Sequence, residues 1–152
     1  MSAQDLITTA KAMVASGKGI LAMDESTGTC TKRFEKLGIK STDESRRQYR
    51  ELLLTTPQLS DFISGAILYD ETIRQKVSDG SPFPDYMSRH GILPGIKVDT
   101  GAKQHAGFPG ETVTEGLDGL RERRAEYRQM GAKFCKWRAV ITIGKDTPTR
   151  GN

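Results

Sequence analysis

Apolar residues in this chain gather in four short, nearly continuous runs, at 19–24, 62–69, 93–99 and 133–143. Glycine, proline or acidic residues bound each run. Continuous apolarity, rather than alternation, predicts strands buried on both faces, as in a parallel sheet covered by helices. Helical patterning fills the intervals. The spacing predicts helices over 5–16, stopped by Gly17, and over 31–37, stopped by Gly38. Ser41 and Glu44 have the spacing of a capping box, with Ser41 as N-cap of a helix running through Leu54. Further helices are expected over 70–77, 84–89 and 115–130, the last ended by Gly131. Thr147 and Pro148 look like the cap and first position of one more helix. The strands start near residues 19, 62, 92 and 133, about the interval of a βα unit, which takes roughly 30 residues. Four such units fit either an open doubly wound sheet or half of an eight-stranded barrel.

Charge interrupts these apolar runs, always near a strand's C-terminal end. Lys136 and Arg138 lie two apart within Phe134-Cys135-Lys136-Trp137-Arg138-Ala139-Val140-Ile141. A strand alternates faces with period two, so both point the same way while Trp137 points into the opposite layer. Two like charges on a buried-looking face repel and are costly to desolvate, so an anion should meet them. Gly95-Ile96-Lys97-Val98-Asp99 and Gly19-Ile20-Leu21-Ala22-Met23-Asp24 repeat the oddity. If the strands are parallel, Asp24, Lys97, Lys136 and Arg138 share one mouth, suited to a phosphate or a developing oxyanion, with Asp24 able to orient a hydroxyl or shuttle a proton. The competing reading is a set of ion pairs across the sheet, Asp24 with Lys136 and Asp99 with Lys97. Glu25, Ser26, Thr27 and Thr29 follow the first strand and offer hydroxyls and backbone NH groups to a phosphate, or form a plain polar loop. Arg33, Arg46 and Arg47 fall on helices, where each alone reads as surface.

Composition narrows the class. A chain of 152 residues fits one domain, and 36% hydrophobic with 28% charged residues is a globular composition rather than a disordered one. The net charge of +4 has no basic run behind it. Arg121-Glu122-Arg123-Arg124 alternates with acid on a helix face, so nucleic-acid binding is not expected. No apolar stretch approaches the roughly 20 residues of a membrane span, and the first residues do not resemble a signal peptide. Cys30 and Cys135 lack metal-ligand spacing; Cys135 is expected to pack as a small hydrophobe. Both thiols should be free in a reducing compartment. His90 and His105 lie in loops with no ligand spacing. Neither the GxGxxG pattern nor a P-loop follows the first strand.

Five motifs, in order and in spacing, resemble class I fructose-bisphosphate aldolase. They are Gly17-Lys18-Gly19-Ile20-Leu21-Ala22-Met23-Asp24-Glu25-Ser26-Thr27-Gly28; Arg46-Arg47-Gln48-Tyr49-Arg50-Glu51-Leu52-Leu53; Gly95-Ile96-Lys97-Val98-Asp99; Gly110-Glu111-Thr112 with Gly116-Leu117-Asp118-Gly119-Leu120; and Lys136-Trp137-Arg138. The resemblance covers almost the whole chain and favours the barrel. It implies an α/β fold, the first four βα units of a TIM (β/α)8 barrel over residues 1–152, complete only with a C-terminal half. It implies reversible cleavage of fructose 1,6-bisphosphate to two triose phosphates through a Schiff base, without metal or other cofactor. By motif, Asp24 and Lys136 are the catalytic pair. Ser26, Thr29, Arg33, Arg46, Lys97 and Arg138 meet substrate and its phosphates. Thr100 stands where the family often has Lys, Met23 where Ala is frequent, and the loop from His105 to Pro109 differs. The family's chain is about twice as long, and none of the lysines here matches its Schiff-base lysine. The expected partners are therefore a phosphorylated sugar and either the remaining half-barrel or a second copy. The resemblance implies a cytoplasmic or plastid setting. The alternative function is a non-catalytic half-barrel that binds a phosphosugar or a protein.

Overall fold

A computed structural model describes residues 2–151. Its elements run α1 (Ala3–Met13), β1 (Gly19–Ala22), α2 (Thr27–Glu35), α3 (Asp43–Leu54), α4 (Leu59–Phe62), β2 (Ile63–Leu68), α5 (Asp70–Ile73), α6 (Phe83–Arg89), β3 (Leu93–Lys97), β4 (Gly101–Gln104), β5 (Thr112–Glu115), α7 (Leu120–Gln129) and β6 (Phe134–Lys136). Strands β1, β2, β3 and β6 form one parallel sheet in that spatial order. Strands β4 and β5 form a separate antiparallel hairpin.

The burial of each strand follows its place in the sheet. The inner strands β2 and β3 are buried almost throughout, because each has a paired strand on either side and helices pack against the sheet. The edge strands β1 and β6 are largely exposed or half-buried. The core gathers Met23, Leu54, Leu68, Ile73, Phe83, Met87, Ile92, Ile96, Val98 and Tyr127, with Trp137 packed against it as the alternation requires. Gly65 and Gly95 make room for one ring: a Cβ on Gly95 would lie 2.3 Å from the ring of Phe134 on the next strand, and one on Gly65 3.0 Å from it. Two glycines on neighbouring strands thus form the slot that seats Phe134.

Several boundaries differ from expectation, each for a local reason. The box opening α3 is Thr42 with Ser45, not Ser41 with Glu44. Each side chain accepts the other's backbone N–H, while Ser41 bonds Thr31 and Arg46. The helix expected over 70–77 stops at Ile73, because Val77 and Phe83 donate back to Ser81 and Gln75 in a reverse turn. Residue 115 closes a hairpin rather than opening a helix, and α7 starts only after Gly119. The strand expected over 133–143 pairs only through Lys136, since β3 ends opposite it. Beyond that point the carbonyls of Arg138 and Val140 accept from Thr114 and Thr112 on the hairpin. Cys135 is exposed on this edge rather than packed as a core hydrophobe. Residues 147 and 148 are joined by a cis peptide bond, with no helix there among the described residues.

Candidate active site

The parallel register sets the chemistry. Lys97 and Lys136 are direct partners on β3 and β6, so two ammonium-bearing side chains stand side by side. Each is met by a carboxylate. Lys136 Nζ donates to both oxygens of Asp24, at 2.7 and 2.8 Å. Lys97 Nζ donates to the carboxylate of Asp99 and, at 3.1 Å, to its carbonyl. The backbone N–H groups of Gly101 and Arg138 also donate to the Asp99 carboxylate, both at 3.1 Å. Burial opposes the charge on Asp99, but Lys97 and the two amides outweigh it and hold the carboxyl below its ordinary range.

The Asp24–Lys136 pair also reports the shape of the sheet. β1 and β6 are three strands apart, roughly 14 Å in a flat sheet at ~4.8 Å spacing. Side chains stand nearly perpendicular to a sheet, so a flat one would keep these two apart. They touch because the sheet curls and both project from its concave side.

The loop after β1 adds polar groups to the same hollow. Ser26 caps α2 by accepting from Thr29 N–H at 3.4 Å, and the two hydroxyls lie 3.1 Å apart. Arg33, about one turn beyond Thr29 on α2, donates to Glu25 and, at 3.5 Å, to the Tyr49 hydroxyl. Glu25 also accepts from Tyr49 and from buried Arg50. Burial works against the charge on Glu25, yet its own amide, Arg50 and Arg33 together lower its pKa.

A cleft of about 460 Å³ joins these groups. Asp24, Ser26, Thr29, Arg33, Lys97, Lys136 and Arg138 all line it, as do Glu25, Tyr69, Asp99 and Thr100. Both ion pairs of the competing reading exist, and both form part of the cleft wall; the two readings describe the same residues. Arg46 is directed elsewhere. Its guanidinium donates to Glu71 at 2.5 and 2.8 Å and to Ser41 at 3.1 Å, and it does not line the cleft. Larger, at about 850 Å³, is a hollow between α1 and α7, lined by apolar groups and arginines with no carboxylate among them.

Three contributors escaped notice in the sequence: Arg50, Tyr69 and Asp99 as a cleft group in its own right. Arg50 had a usable signal. It sits four residues before Leu54 on α3, and these are the helix's two buried positions, so a charged residue interrupts the buried stripe. Chemically, the cleft offers two carboxylate–ammonium contacts, Asp24 with Lys136 and Asp99 with Lys97, and a carboxylate so placed can hold or return a proton. Arg33 and Arg138, with the hydroxyls of Ser26, Thr29, Tyr69 and Thr100, are suited to oxyanions. Among the described residues no group of three or more His, Cys, Asp or Glu side chains could hold a metal ion, and no helix is long and apolar enough to cross a membrane.

Comparison with known proteins gives the family. The family model for class I fructose-bisphosphate aldolase matches residues 5–151. A Xanthomonas campestris protein named probable fructose-bisphosphate aldolase class 1 is 67% identical over 149 residues, 98% of this chain and 45% of its own length. The cytoplasmic isozyme of Spinacia oleracea is 51% identical over 97% of this chain and 41% of its own. Among solved structures, fructose-bisphosphate aldolase from Plasmodium falciparum, crystallised with TRAP and a small-molecule inhibitor, superposes with a TM-score of 0.92. It is 47% identical, covering 97% of this chain and 43% of that one. This chain thus spans less than half the length of the relatives it matches. The match over nearly all its residues, at these identities, places it: the chain belongs to the class I fructose-bisphosphate aldolase family.

Proposed function

We propose that this chain supplies one half of an aldolase active site, for reversible cleavage of fructose 1,6-bisphosphate to dihydroxyacetone phosphate and glyceraldehyde 3-phosphate. Residues 1–152 form the N-terminal half of a single eight-stranded barrel domain. The observation that carries this reading is the contact of Asp24 with Lys136 across the curled sheet, at the floor of a cationic cleft. Asp24 takes and returns the proton of the hydroxyl at the scissile bond, and Lys136 holds its charge in place. Lys97, Arg138 and Arg33 meet substrate phosphate and oxygen, with Ser26 and Thr29 as hydroxyl donors. Arg46, bound to Glu71, keeps the α3–α5 contact and is left out of this assignment.

The reaction's imine-forming lysine is not among these residues. Both cleft lysines are engaged by a carboxylate, Lys97 by Asp99 and Lys136 by Asp24. The barrel is completed by a second half against the open edges of β1 and β6, and the likeness to the spinach cytoplasmic isozyme supports a cytosolic setting. The test is complementation. The chain is co-expressed with the C-terminal part of the spinach relative, and cleavage of fructose 1,6-bisphosphate is measured. Turnover is expected in the mixture and not in either part, with Asp24→Asn lowering kcat about 100-fold or more. A folded complex that binds the sugar bisphosphate without turnover would replace this reading with the non-catalytic binding module.

A further inference from the structure

One buried guanidinium lies behind the loop that follows β1. Arg50 is 2% exposed, comes from α3, and does not itself line the hollow. Its Nη1 donates to the Glu25 carboxylate, and its Nη2 donates to the Glu25 carbonyl at 2.6 Å and to Cys30 Sγ at 3.3 Å. A planar fork thus grips the backbone and the side chain of one residue through two separate nitrogens held at a fixed spacing. Glu25 lies between Asp24, which holds Lys136, and Ser26, which caps α2. Fixing its carbonyl fixes the aim of both neighbours.

The charge count points the same way. One carboxylate, Glu25, serves two guanidiniums, Arg33 and Arg50. Arg33 is the loose member, its side chain 55% exposed and lining the cleft. If Arg33 turns toward an anion, Glu25 still has Arg50 and the Tyr49 hydroxyl. No buried carboxylate is left without a partner, so the release of Arg33 costs little.

We propose that Arg50 is a positioning residue: it locks Glu25 so that Asp24 and Ser26 keep their aim and Arg33 is free to pass from Glu25 to an incoming phosphate. Arg50 never touches the ligand. The inference rests on the cleft's taking a phosphosugar, and the experiment separates the two.

Titration calorimetry of the 152-residue chain with fructose 1,6-bisphosphate, alongside urea midpoints, is the measurement. The native chain binds. Arg50→Met raises Kd about tenfold, and Arg50→Lys, which keeps the charge and loses the fork, about threefold. In an Arg33→Ala background the Arg50→Met factor shrinks below about threefold, because Arg50 acts in part through Arg33. A merely structural Arg50 would lower the urea midpoint of both variants and leave the Kd of the folded protein unchanged, and that result overturns the proposal. Should Arg50→Met not fold, Arg50→Lys decides alone by the same criterion. A native chain that shows no binding removes the phosphosugar reading and this inference with it.

Discussion

Asp99 accepts from Lys97 and from two backbone amides while only 8% exposed, so protonating it removes the charge that strengthens these bonds. Its pKa lies below the ordinary aspartate value of about 4 in the folded chain. A depressed folded pKa adds stability that is fully present above the unfolded pKa and is lost as pH falls through the folded one. The expected outcome is a urea midpoint that is flat from about pH 7 to pH 5 and drops below about pH 4. Asp99→Asn lowers the midpoint at pH 6, and the gap to the native chain narrows as the medium becomes more acid. Equilibrium unfolding at a series of pH values checks this, and a gap that stays constant down to about pH 3 contradicts it. Glu25 contributes in the same direction, since its carboxyl is also lowered. At this scale the sequence was informative about the ends of strands, where a charge in an apolar run is conspicuous. Arg50 left a fainter signal, a charge four residues from Leu54 on the stripe that α3 buries, and Tyr69 left none, because a tyrosine after a strand has ordinary uses and only the packing shows which way it faces.

The fit of β6 against β3 depends on the absence of a side chain at Gly95. A methyl there would overlap the Phe134 ring, which lies on the exposed edge strand and must move out to admit it. Gly95→Ala is expected to cost about 1–3 kcal/mol by overpacking. In a Phe134→Leu background, where the ring is gone, the cost should fall below about 1 kcal/mol, so the pair is non-additive. Urea unfolding of the four proteins tests this; equal costs in both backgrounds would place the strain elsewhere. The elements that were legible in the sequence are those with a continuous signal: β2 and β3 as apolar runs, and α1, α3 and α6 as periodic or capped stretches. Those that were missed lack one. The β4–β5 hairpin has mostly exposed, polar strands that resemble a loop, and it was hidden in a glycine-rich segment. The fourth apolar run looked like a strand to residue 143, but a strand needs a partner, and beyond Lys136 the sheet offers none. Ile141 and Ile143 are 60% and 87% exposed there, an apolar run left open by the described residues.

Across the whole molecule, the curl of a four-stranded sheet turns separate charged strand ends into one cleft. Asp24 and Lys136 are 112 residues apart in the chain and lie on opposite edges of the sheet, yet they are in hydrogen-bond contact. The same curl leaves two unpaired edges, which favour association with another strand. In the proposed function the carboxylate, the cations and the hydroxyls belong to this chain and the imine-forming lysine to another segment. Borohydride trapping in the presence of dihydroxyacetone phosphate tests that division most directly, with the adduct located by peptide mass spectrometry. No adduct is expected on this chain alone. In the mixture with the C-terminal part of a relative, an adduct is expected that is confined to that part and strongly reduced by Asp24→Asn. A stable adduct on Lys97, Lys136 or any other lysine of this chain would contradict it.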